Sequence, residues 1–157
     1  MIHIEDLINK RISGIGRCSD MVWIAIGEEI DTHDWNNNMK HKSEFEIHIQ
    51  SSFRFLKDKK IIAANDDIYH SIDDDNWDTP GNNYFDTWCN KKEVEGKIIK
   101  RITTNQIGDL KIELDDYVLE IINLHTNGEA WRILSSDCNE KHYVSALKSG
   151  RATYEYQ

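Results

Sequence analysis

Residues 44–55 read "EFEIHIQSSFRF", and this stretch constrains the fold more than any other. Phe45, Ile47, Ile49, Phe53 and Phe55 occupy odd positions, with only Ser51 breaking the apolar set. Glu44, Glu46, His48, Gln50, Ser52 and Arg54 occupy the even ones. A period of two makes this a β-strand with one dry face and one wet face. The turn "KDKK" and the segment "IIAAN" follow, so a hairpin is expected here. The wet face carries His48, Gln50 and Arg54, which is either ordinary solvation or a polar site.

Periodic segments and turn residues recur along the chain. "IEDLINKRI" places Ile4, Leu7, Ile8 and Ile12 at helical spacing, which predicts a short amphipathic helix over 3–12. Gly14 and Gly16 are read as its terminator. "DMVWIAIG" predicts a buried strand over 20–27, and "DTHDWNNNMKHK" a polar loop. In the last third, "KIIKRITTNQI", "GDLKIELDD", "YVLEIINL", "EAWRILSS" and "HYVSALK" are strand-like and separated by turn residues. They predict an antiparallel meander. The fold class expected is α+β, mainly antiparallel β, as a single domain over 1–157. A chain of 157 residues buries roughly 70% of its unfolded surface, enough for one core.

The formal net charge is −9. Segment 65–96 carries two Lys/Arg against nine Asp/Glu and so holds −7 of it. It also holds the only Pro, a cluster of Asn and Asp, and the aromatics Tyr69, Trp77, Tyr84, Phe85 and Trp88. It reads as a loop-rich acidic insertion, with a short helix in "YFDTWCNKKEVEG". A merely solubilising loop has little use for five aromatics. Such a chain is repelled by phosphate backbones, so direct nucleic-acid binding is disfavoured, and a basic protein partner is favoured. No apolar run approaches the roughly 18–20 residues of a membrane span. The start of the chain lacks a signal-peptide pattern, and Cys18, Cys89 and Cys138 form no CxxC pair. A cytoplasmic location is therefore expected.

No catalytic constellation emerges. The seven histidines show no HxH or HExxH spacing, so no metal is expected. "DDDNWDTPGNNYF" offers Asp74, Asn76 and Asp78 at calcium-loop positions, but Thr79 stands where the turn Gly belongs and Phe85 where the bidentate Glu belongs. GxSxG, GxGxxG and P-loop motifs are absent, and no cofactor is implied. Cys18 is read as an inert thiol opening a buried strand. Arg132 in "EAWRIL" and Arg54 each need an acidic partner if buried, with Asp20, Asp67 and Glu129 as candidates. The two arginine-bearing strands are expected to meet.

"RCSDMVWIAIG", "FEIHIQSSFRF", "DDIY", "GNNYFD", "IGDLKIELDDYVLEI", "EAWRIL" and "HYV" occur in this order. Over residues 17–147 they resemble a family of small uncharacterised bacterial proteins with ordered RxxDM, HxQxx(W/F)R, DxY and ExWR…H motifs. This chain has Phe53 where the pattern usually has Trp. The resemblance picks out Arg17, Asp20, Met21, His48, Gln50, Arg54, Asp67, Tyr69, Asp86, Glu129, Trp131, Arg132 and His142. It implies a fold rather than a reaction.

Two functional expectations follow. The first is a non-catalytic acidic binding protein of the immunity type, which neutralises a basic toxin. Its contact residues would include Asp73, Asp74, Asp75 and Trp77. The second is a small-ligand binder or enzyme built on a His48/Arg54/Arg132 cluster beside Gln50.

Overall fold

The structure is a computed structural model that describes residues 2–33, 36–73, 75–136, 142–148 and 151–156, with 142–148, 155 and 156 described as backbone. It is a mostly antiparallel β domain with one short α-helix. The first sheet contains β1 (Ile12–Cys18), β2 (Met21–His33), β3 (Met39–Ile49), β9 (Gly128–Ser135), β10 (His142–Lys148) and β11 (Arg151–Tyr156), in that spatial order. The second contains β4 (Ser52–Lys57), β5 (Lys60–Ala64), β6 (Ile99–Thr104), β7 (Leu110–Leu114) and β8 (Tyr117–Ile122), ordered β5-β4-β8-β7-β6. Among the described residues no helix is long and apolar enough to cross a membrane.

The alternating stretch is thus two strands in two sheets. Its parity nevertheless survives the change of sheet. Ile47, Ile49, Ser51, Phe53 and Phe55 are all buried. Ser51 sits in the corner: its hydroxyl donates to the Ile122 carbonyl (2.6 Å) and accepts from the Leu124 N–H (3.3 Å). A small hydroxyl there ties the corner to the end of β8 and to Leu124, and the chain turns without flipping its dry face. The expected hairpin with "IIAAN" forms as β4–β5.

Elsewhere the structure departs from the pattern of the sequence. The helix over 3–12 is only a 3₁₀ turn, Ile4–Leu7, closed by the His3 N–H donating to Asp6 (2.9 Å). Asn9 then takes a left-handed φ of 68°, which stops the helix, and Ile12 opens β1. Gly14 and Gly16 lie within β1 because the Trp23 ring crosses them; a Cβ on Gly16 would come within 2.5 Å of that ring. The polar loop is the outer arm of a long hairpin, paired from Glu29–Ser43 to His33–Met39. That arm projects beyond the core, so it has no apolar period to read. The C-terminal segments form two runs, β6–β7–β8 and β9–β10–β11, in different sheets. Cys18 ends β1 and is exposed, whereas Cys89 is half-buried; Cys138 lies outside the described residues.

One contiguous core joins both sheets. Trp131 is its largest fully buried side chain, and its indole N–H donates to the Gly108 carbonyl at 2.9 Å. That bond is what lets a polar ring sit fully inside.

Candidate functional site: an acidic lobe and a corner groove

Segment 65–96 folds into an ordered lobe, and Arg17 is the reason. The Arg17 side chain, 6% exposed, donates from Nε and Nη2 to the two Asp86 oxygens at 2.8 Å each. Nη1 reaches Asp78 (2.9 Å) and the Ser19 carbonyl (3.0 Å). Nη2 also approaches the Trp77, Asp78 and Thr79 carbonyls. The fork geometry of guanidinium matches a carboxylate and several carbonyls at once, which an ammonium does not. The Asp86 hydrogen bond, outweighing burial, raises the Arg17 pKa above its ordinary value.

The rest of the lobe builds on this tether. Asn83 caps α1 (Tyr84–Asn90) by accepting from the Asp86 N–H (2.7 Å), and its amide donates to the Trp77 carbonyl (2.9 Å). Asp67 closes the 3₁₀ turn Asn65–Tyr69 by accepting from the Ala64 N–H (2.8 Å). Phe85 and Trp88 are buried in the core and anchor the lobe. Trp77 is half-buried, edge-on to Tyr69 (5.0 Å) and over the Arg17 guanidinium (5.9 Å).

What remains outward on the lobe includes three large apolar side chains and several acids. Tyr69, Ile72 and Tyr84 are 44%, 45% and 54% exposed. Backbone pairing of Ser71 with Asn83, of the Ile72 N–H with the Asn82 carbonyl and of the Tyr84 N–H with the His70 carbonyl ties this stretch to the start of α1. His70 stacks on Tyr84 at 6.0 Å. Asp66, Asp73 and Asp75 are exposed on the same segment. Among the described residues none of these three is ion-paired; Asp74 lies outside them.

A groove of about 610 Å³ opens where β3 hands over to β4, lined by Asp20, Met21, Gln50, Ser51, Ser52, Asn65, Tyr69, Leu124 and His125. Tyr69 therefore belongs to both the lobe and the groove. Burial, then the charge and hydrogen-bonding of Asp20, then Asp66, raise the Tyr69 pKa above the usual phenol value. The His125 ring faces the Gln50 carbonyl, with Nε2 at 3.3 Å.

The polar residues expected to cluster are only partly brought together. His48 lies opposite Arg132 in the β3–β9 ladder and Trp23 in the β2–β3 ladder. Its Nε2 contacts Glu46 at 3.0 Å. Arg132 is bound by Glu129, at 2.5 and 2.9 Å, as anticipated. Arg54 is on the other sheet, held by Glu120 at 2.9 and 2.7 Å, not by Asp20 or Asp67. The two arginine-bearing strands do not meet, because the chain changes sheet between them. Gln50 joins the groove rather than the His48–Arg132 row. The side chain of His142 lies outside the described residues.

No spacing in the sequence marks the Arg17 tether or the groove. Their residues come from segments around 17–21, 50–52, 65–86 and 124–125, and no local period links such pieces. Among the described residues no group of three or more His, Cys, Asp or Glu is placed to hold a metal ion. Comparison with protein-family models, curated proteins and solved structures finds no match for this chain.

Proposed function

We propose that the protein is a non-catalytic binding protein that docks a basic protein partner through its acidic lobe, in the manner of an immunity protein neutralising a basic toxin. The observation that supports this reading most is the exposure of Tyr69, Ile72 and Tyr84 on a segment carrying −7. Tyrosine-rich patches with a charged rim are the composition of interface hot spots. The rim accelerates encounter with an oppositely charged surface, and the aromatic centre slows departure. Arg17 fixes the lobe before binding, so little ordering cost falls on association. Residues Arg17, Asp67, Tyr69 and Asp86, which shape this lobe, are also positions that the family resemblance picks out.

The test is capture from extracts of the source cell with the wild-type protein and with a variant carrying Asp66→Asn, Asp73→Asn, Asp75→Asn and Tyr84→Ala. A basic protein retained by the wild type, released by salt and missed by the variant is the expected result. Capture that is indifferent to the variant and to salt would overturn the reading. A toxin-like gene adjacent to this one would identify the partner directly.

A further inference from the structure

We propose that the corner groove is the seat for one arginine side chain projecting from the basic partner; this rests on the reading of the lobe as a docking surface. An arginine needs three things from its host. It needs a carboxylate for the guanidinium, a flat aromatic face to stack on, and an apolar strip for its methylenes. The groove supplies each. Asp20 is exposed on its wall, with no Lys or Arg among the lining residues to neutralise it. Tyr69, 44% exposed, offers the ring. Met21 and Leu124 offer the apolar strip, and Leu124 is 72% exposed, an apolar surface with no role in the core. Gln50 and Asn65 add neutral hydrogen-bonding groups. The volume, about 610 Å³, exceeds one side chain and leaves space for part of the residue beside it.

Lysine fits less well. Its ammonium is strongly hydrated and cannot lie flat on a ring. Continuity favours a protein-borne arginine over a free cation: Tyr69 belongs both to the groove and to the acidic lobe, so one partner surface can cover both.

The experiment titrates the intact protein with N-acetyl-L-arginine amide while backbone amide shifts are followed by NMR. N-acetyl-L-citrulline amide, the uncharged isostere, and N-acetyl-L-lysine amide are the controls. The arginine probe should move Met21, Gln50, Tyr69 and His125 in a saturable way. The lysine probe should bind several-fold more weakly and the citrulline probe should not bind. Asp20→Asn should weaken the arginine probe roughly tenfold, the scale of one charge-assisted contact. Tyr69→Leu should weaken it several-fold, while Asp73→Asn with Asp75→Asn should leave it unchanged. Asp20 is exposed, so its variant keeps the fold. Shifts scattered over the lobe carboxylates, equal response to citrulline, or indifference to Asp20→Asn would each overturn the proposal. Lobe-dependent capture of a basic protein without groove shifts would sink this inference alone. Groove binding with no lobe-dependent capture would sink the docking reading alone.

Discussion

At Arg17 a side chain 6% exposed meets the Asp86 and Asp78 carboxylates and four backbone carbonyls. Removing one partner of such a pair leaves the other buried and uncompensated. Arg17→Met is therefore expected to cost about 3–5 kcal/mol in urea denaturation. Arg17→Lys should recover little of it, since an ammonium cannot span the same fork. Arg54→Met and Arg132→Met should each cost about 1 kcal/mol or less, because their side chains are 42% and 31% exposed. This ordering reverses what the sequence suggests, where Arg54 and Arg132 sit in aromatic-flanked strands and Arg17 precedes a short polar turn. Nothing local marks Asp86, 69 residues later, as its partner. The cysteines diverge in the same way. Burial, the largest cause, pushes the Cys89 thiol up to about 12, so its thiolate is scarce at ordinary pH. Cys18 is exposed. Peptide mapping after iodoacetamide treatment of the folded protein near pH 8 should find Cys18 alkylated well before Cys89. Equal labelling of both would show that the lobe does not shield Cys89.

The strands show which parts of a β fold a sequence carries and which it leaves to context. Alternation in 44–55 reports that the odd side chains are dry, and from Ile47 to Phe55 they are, with Phe45 partly buried at the edge of the core. It does not report that β3 pairs with β2 and β9 while β4 pairs with β5 and β8, since parity is blind to the neighbour. Glycines mislead for a related reason. Gly14 and Gly16 read as breakers, yet they are the floor under the Trp23 ring, a reason located on the next strand. At Gly27 the backbone itself requires glycine: φ is +88°, and a Cβ would collide with the Glu44 carboxylate. That carboxylate accepts from Lys10 Nζ and from the Glu28 N–H, each at 2.8 Å, and so fastens the bulge in β2. Gly27→Ala should lower stability by about 1–3 kcal/mol, read from the thermal midpoint. The Lys10 hydrogen bond first, then the Glu28 N–H, hold the Glu44 pKa below its ordinary value. Folding thus favours the ionised carboxylate. Its contribution is present above an unfolded pKa of about 4.3 and is lost as pH falls through the lower folded value. Glu44→Gln should be less stable than the wild type near neutrality, yet lose less stability between about pH 5 and pH 3. A variant whose acid profile parallels the wild type would show that Glu44 adds nothing through its charge.

Across the whole molecule the charge is divided between parts with different tasks. The chain on either side of the lobe carries near-balanced charge, and the lobe between β5 and β6 carries −7 of the −9. Within the lobe, Asp78 and Asp86 are occupied by Arg17 and Asp67 by the Ala64 N–H, so those three hold the fold. Asp66, Asp73 and Asp75 are exposed and hold nothing comparable. Neutralising these three to Asn therefore separates docking from folding. Their loss should leave the unfolding midpoint within about 0.5 kcal/mol of the wild type, as expected for exposed charges. On the proposed docking reading, association with the basic partner should slow by about tenfold or more at low ionic strength, with dissociation little changed. The gap should close as salt rises and the screening length falls below roughly 10 Å. Tyr84→Ala should do the opposite, leaving the association rate and raising the dissociation rate, because an aromatic anchor acts after encounter. Stopped-flow association across a salt series, with both variants on the same partner, measures the two effects separately. A triple variant that loses stability but keeps its association rate would make the lobe's outer acids part of the scaffold and remove the electrostatic half of the docking mechanism.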